Sequence, residues 1–130
     1  MANWKITSVF LIAFFLNLAW EHLHSVLYIH YKGGEITNYV LLKASIADAL
    51  FILFIVLVAH HVSLRYRSVF IFCVGLVLGL IIEWWALGSG RWAYSLAMPI
   101  IPIVQTGLTP TIQLAILGTA SFLVSKNVQH

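Results

Sequence analysis

Charge is what this chain has least of. Of its 130 residues four are acidic and seven are Lys or Arg, so that charged residues make up 8%. A soluble domain carries about a quarter charged residues and needs them to cover its core. Such scarcity excludes a wettable surface. With 62% hydrophobic residues and a mean hydropathy of +0.98, the chain reads as an integral membrane protein and a single domain over 1–130. Cysteine is almost absent: Cys73 has no internal partner for a disulfide and, inside an apolar run, reads as a small buried hydrophobe. Basic residues form no cluster, which excludes a nucleic-acid partner despite a net charge of +3. No small-x-small cleavage site follows the apolar stretch Val9 to Leu18, so the N-terminus reads as a retained first span.

What is present is apolar sequence in four runs, at about 6–28, 39–62, 68–87 and 110–125. Lipid offers no partners to free backbone groups, and the runs lack the strict alternation of barrel strands. The expectation is an all-α fold, with four transmembrane helices in an antiparallel bundle. The fourth run is the shortest, at roughly 24 Å, and reads as starting with Thr109 as cap and Pro110 at the first helical position. Lys5, Arg65, Arg67 and Lys126 fall on one side, whereas Lys32 (offset by Glu35) and Arg91 fall on the other. That bias places both termini in the cytoplasm, the setting being a bacterial inner membrane. The first outer connection, with Gly33-Gly34, reads as short and plain. The second is an apolar, proline-rich outer loop, whose part from Met98 to Gly107 is expected at the interface or folded back on the bundle.

Three of the four acids, Glu21, Asp48 and Glu83, lie inside these runs, where an ionisable group is costly. Asn17, Glu21, His24 and Tyr28 recur on one helical face. Gly75 and Gly79 precede Glu83 at four-residue steps, a spacing that lets a neighbouring helix approach and turns Glu83 inward. Ser45 and Asp48 share a face of the second helix, and Gln113 lies one turn into the fourth. All sit within roughly 5–14 Å of the outer helix ends, so antiparallel packing brings them to one depth. Trp20-Glu21 and Glu83-Trp84 form a faint repeat near the ends of the first and third helices.

Two meanings of such a cluster stand side by side. The groups hold helices together as interhelical glue, the better reading for Asn17, Ser45 and Gln113 singly. Alternatively Glu21, His24, Asp48 and Glu83 carry acid–base catalysis, while Arg91, Trp92, Tyr94, Trp84 and Tyr28 join Asn17 and Gln113 in binding a substrate. Lys43 reads as snorkelling outward, and His22, His60 and His61 as interfacial. Most Trp and Tyr residues crowd the outer end, with Trp4 and Tyr66 at the inner one. An aromatic belt accounts for some. Aromatic faces also stabilise a positive charge developing on carbon, and a carboxyl kept neutral by burial is a competent proton donor.

Glu21-x-x-His24 matches the ligand pair of di-iron bundles, but no second pair exists. A single metal ion on Glu21, His24 and Glu83 ranks behind proton chemistry, and haem is excluded because no other helix offers a histidine at that depth. The sequence therefore assigns no metal ligand and identifies no cofactor.

Trp20-Glu21, His24-Ser25, Leu27-Tyr28, Lys43-Ala44-Ser45, Asp48, Gly90-Arg91-Trp92, Tyr94 and Met98-Pro99 together resemble a group of uncharacterised small four-span bacterial membrane proteins. That resemblance covers nearly the whole chain and implies the fold without an activity. Over one hairpin, Glu83 ahead of Gly90 to Tyr94 is similar to lycopene-cyclase-type carotenoid-synthesis membrane proteins, which place a Glu ahead of a Gly-x-Trp-x-Tyr-like turn. Their second carboxylate, in a Pro-x-Glu context, is replaced here by Gln113 after Pro110-Thr111-Ile112. The resulting expectation is an enzyme that cyclises or isomerises a lipid or isoprenoid in the bilayer. The alternatives are a proton-coupled small-molecule transporter working as a homodimer, and a non-catalytic scaffold or binding subunit.

Overall fold

The computed structural model describes residues 3–128, with side chains over 5–127; the side chain of Trp4 lies outside them. Four long helices dominate: α1 (Asn3–His24), α2 (Asn38–Ala59), α3 (Arg67–Gly88) and α4 (Leu108–Val128). Each contains a stretch long and apolar enough to cross a membrane. α2 starts at a Thr37 cap, whose hydroxyl accepts from the Val40 amide at 3.2 Å.

α1 stops short of the expected boundary at Tyr28. Ser25 Oγ donates to the His22 carbonyl at 3.0 Å, residues Ser25–Leu27 tighten into a 3-10 turn, and the chain extends as β1 (Tyr28–Tyr31). β1 pairs antiparallel with β2 (Trp92–Tyr94), with Tyr28 opposite Tyr94 and Tyr31 opposite Trp92. The first outer connection is therefore not plain. It zips onto the second, with the Ser95 amide on the Leu27 carbonyl (2.8 Å) and the Lys32 amide on the Arg91 carbonyl (2.6 Å). Aromatic and β-branched residues favour this pleated pairing.

A second ladder joins β3 (Ile100–Ile101) to β4 (Thr106–Gly107), through a reversal that holds Ile103 at φ 75° and Gln105 at φ 60°. Neither residue type adopts that region readily. Two short ladders thus qualify the all-α expectation, because loop backbone covered by protein must satisfy its own polar groups. Met98, Thr106 and Gly107 are buried, whereas Leu96 and Ile103 project. The loop folds back and reaches out at once.

α4 corrects two further expectations. It has 21 residues, about 31 Å at 1.5 Å per residue, and matches its neighbours in length. It also begins at Leu108, so that Thr109 is not the cap; its hydroxyl is engaged with His24 instead. Pro110 still falls in the first turn, where its missing amide is harmless.

α4 packs on all three other helices and most closely on α3. Glycine sets that approach: a Cβ on Gly79 would lie 2.6 Å from the Thr111 carbonyl, and one on Gly75 2.8 Å from Ala115 Cα. Val9, Ala13, Ile52, Val56, Ile71 and Leu114 fill the core between the helices. Outward positions are also apolar, Phe15, Phe54, Val69 and Val77 among them. Cys73 is exposed on α3, contrary to the buried role expected of it, because its helical position faces away from α4. α2 and α3 touch only lightly, and the gap between them holds the site.

Candidate functional site

The α1 face does converge with α2 and α4, and Gln113 is the hub. Its Nε2 lies 2.9 Å from Asn17 Oδ1, 2.8 Å from Glu21 Oε1 and 2.9 Å from Asp48 Oδ2. Asn17 is fully buried and spends its own amide on the Ala13 carbonyl at 2.7 Å. Glu21 and Asp48, on different helices, thus meet on the same amide nitrogen. Glu21 Oε2 meets His24 Nε2 at 3.1 Å, and His24 Nδ1 meets Thr109 Oγ1 at 3.0 Å. Two proton states fit this chain. A neutral ring donates from Nε2 and accepts from Thr109; an imidazolium donates from both nitrogens and leaves the Thr109 hydroxyl for Met98 Sδ at 3.5 Å.

Glu83 is held separately, by the loop. Its Oε2 accepts from Trp92 Nε1 at 3.1 Å and from the Tyr94 hydroxyl at 2.5 Å. That hydroxyl accepts in turn from the Gly107 amide at 2.9 Å, so β4 locates the phenol and the phenol locates the acid. Both bonds land on Oε2, which leaves Oε1 for a guest. Burial, and then the bond to Glu83, hold the Tyr94 phenol above its ordinary range; burial does the same for Tyr28.

The two groups face one cavity of about 590 Å³, lined at depth by Glu21, Asp48, Glu83 and Gln113 and flanked by Tyr28 and Trp92. This volume is in the range of small-molecule sites. Tyr28 is the centre of an aromatic cluster, edge-on to His24 (5.3 Å), Tyr94 (5.6 Å) and Trp92 (6.1 Å). Arg91 also lines the cavity; it donates to the Tyr31 hydroxyl at 3.1 Å, and its guanidinium lies 4.8 Å from the Trp85 ring centroid.

Asn17, His24 and Tyr94 do not line the cavity and reach it only through their bonds to Gln113, Glu21 and Glu83; Trp84 and Ser45 lie further off. Trp84 is exposed off the cavity wall and donates to the Val104 carbonyl at 2.9 Å, pinning the β3–β4 reversal. Ser45 returns its hydroxyl to the Leu41 carbonyl of its own helix at 2.7 Å and bonds no other helix. Conversely, sequence reasoning missed Lys32, Lys43 and His30 on the cavity and Thr109 behind His24. For Lys43 a signal existed: Val40, Ala44, Ala47, Asp48 and Phe51 form a helical stripe on the cavity wall, and Lys43 flanks it. Among the described residues no group of three or more His, Cys, Asp or Glu side chains is placed to hold a metal ion.

Comparison with protein-family models, with curated proteins and with solved structures yields no match.

Proposed function

We propose that this chain is an integral membrane enzyme that moves protons on an unsaturated lipid or isoprenoid. The observation that carries the reading is that Glu21, Asp48 and Glu83, from three helices, line a single cavity. Protonated Glu83 gives its proton to a carbon–carbon double bond. The adjacent carbon then loses a proton to the Glu21–Asp48 pair, and the electrons of that C–H bond form the new double bond. The proton gained by the Glu21–Asp48 pair returns to Glu83 through solvent at the cavity mouth before the next turnover, so net protons are conserved and isomerisation needs no co-reactant; in cyclisation a second double bond of the same chain captures the cation before proton loss. Tyr28 and Trp92 flank the path of the charge. The Asn17–Gln113 bond holds the acceptor pair in place.

The same reading sets the helices antiparallel across a bacterial inner membrane. It puts Arg65 and Arg67 with both termini in the cytoplasm and Leu96 and Ile103 in the opposite interface. The apolar exteriors of all four helices support the membrane setting.

Lipid and pigment profiles of cells expressing wild type, Glu83→Gln or Asp48→Asn test the proposal. One lipid changed by wild type and unchanged in both variants is expected; a wild-type profile equal to the empty vector refutes it. The exposed mouth of the cavity, where Lys32 and Lys43 stand, favours a carrier as second reading. A carrier would alter uptake or resistance in a Glu83-dependent way and leave the lipid profile untouched.

A further inference from the structure

The cavity is electrically segregated. Lys32, Lys43 and Arg91 stand at its mouth, and among the described residues none of the three has a carboxylate partner. Their neighbours are rings: Lys32 Nζ lies 5.5 Å from the Tyr31 centroid and Lys43 Nζ 4.9 Å from that of Tyr39. Arg91 Nε is buried without any acceptor, a donor held for a group that the protein itself does not supply. The acids at the floor are occupied by contrast, Glu83 by Trp92 and Tyr94, and Glu21 by His24 and Gln113.

Along the same seam between α2 and α3, one turn further from the mouth, runs a second groove of about 400 Å³. Its walls are Phe54 and Ile55 on α2 and Cys73, Val74, Val77 and Ile81 on α3, without a charged or hydrogen-bonding side chain other than the thiol. An unpaired cationic mouth, an acidic middle and an apolar continuation match one kind of guest in sequence.

We propose that the site takes an amphiphile with a phosphate head, seated on Lys32, Lys43 and Arg91, whose chain passes the carboxylates and lies in the α2–α3 groove. Asp48 is about 7.5 Å along α2 from Lys43, so the acids face the head-proximal part of the chain. A cationic amphiphile is disfavoured, since it would cross three uncompensated positive charges to reach the acids. The inference deepens the proposed function and takes from it the place where the chemistry acts.

Binding to purified protein in nanodiscs, followed by Trp fluorescence, tests it without turnover. The probes are geranylgeranyl phosphate, geranylgeraniol, dioleoyl phosphatidic acid and inorganic phosphate. Geranylgeranyl phosphate should bind at least about tenfold more tightly than the alcohol or inorganic phosphate. Lys43→Gln and Lys32→Gln, both at exposed positions, should each weaken it about three- to tenfold and leave the alcohol unchanged. Val77→Trp should weaken the long-chain phosphate and not inorganic phosphate. Preference for the prenyl over the dioleoyl phosphate assigns an isoprenoid source and the reverse a bilayer lipid; either supports the proposal. Equal affinity for alcohol and phosphate, or lysine variants that bind as wild type, overturns it. Lost binding beside a Glu83-dependent lipid change removes this inference alone. Binding without any lipid change removes the reaction alone.

Discussion

Replacing Gln113 with Leu should loosen three helices at once. The amide nitrogen lies within 2.9 Å of oxygens from Asn17, Glu21 and Asp48, two of them on α1 and one on α2, while Gln113 itself is on α4. An amide carries two N–H donors, so it satisfies two of the three oxygens at any instant. A hydrogen bond to a charged acceptor contributes about 1.5–3 kcal/mol, which makes two of them, to Glu21 and Asp48, worth about 3–6 kcal/mol. The apolar surface of Leu returns about 1 kcal/mol of that. The expected net loss is about 2–5 kcal/mol, a large part of a stability of about 5–15 kcal/mol.

Equilibrium unfolding in mixed micelles with increasing dodecyl sulfate, read by Trp fluorescence, measures the change. Gln113→Glu should be worse than Leu, because it replaces an amide that donates to all three residues with another carboxyl. A double-mutant cycle with Asn17→Ala should return a coupling of about 0.5–3 kcal/mol. If Gln113→Leu unfolds within about 0.5 kcal/mol of wild type, the hub is not holding the helices and the reasoning is refuted.

Gly79→Ala should cost about 1–3 kcal/mol, because its Cβ would meet the rigid Thr111 carbonyl at 2.6 Å. Gly88→Ala, with open space around it, is the matched control and should stay within about 0.5 kcal/mol; equal effects would sink the close-approach argument. Trp84→Phe removes the bond to the Val104 carbonyl, so amide exchange over 101–105 should accelerate. Unchanged exchange there would show that the tryptophan does not pin the loop. The raised phenols of Tyr94 and Tyr28 favour the neutral form in the folded protein. Stability from that form is fully present below pH ~10 and lost as pH rises through the raised values. Tyrosinate absorbance of wild type and Tyr94→Phe should therefore coincide up to about pH 11; an additional wild-type titration near pH 10 would contradict it.

The helices were legible because nothing competes with apolar length at this composition, and the convergence of Asn17, Glu21, Asp48 and Gln113 was legible because helical spacing and depth are both counted along one axis. Rotation was partly readable: Gly75 and Gly79 pointed α3 toward a neighbour, and that neighbour is α4. The loops were not readable, since Tyr28–Tyr31 and Trp92–Tyr94 are too short to show a period, and their pairing depends on the helices bringing them together. The cationic mouth was hidden for the same reason. Lys32 and Arg91 are far apart in the chain and meet only through the β1–β2 ladder, where the Lys32 amide binds the Arg91 carbonyl.

That division of labour bears on the proposed reaction. A donor and an acceptor of protons in one cavity need environments that set them apart. Here Glu21 and Asp48 are fixed by groups on helices, with Gln113 between them and His24 behind, so they belong to the packed bundle. Glu83 is on a helix too, but the groups that bind its carboxyl, Trp92 and Tyr94, are on β2, and Tyr94 is in turn held by Gly107 of β4. A shift of the outer loop therefore removes two hydrogen bonds from Glu83 and none from the Glu21–Asp48 pair. The loop is thus in a position to set the proton affinity of one acid independently of the other two, and Lys32 and Arg91, on which the proposed phosphate head would sit, belong to that same loop system.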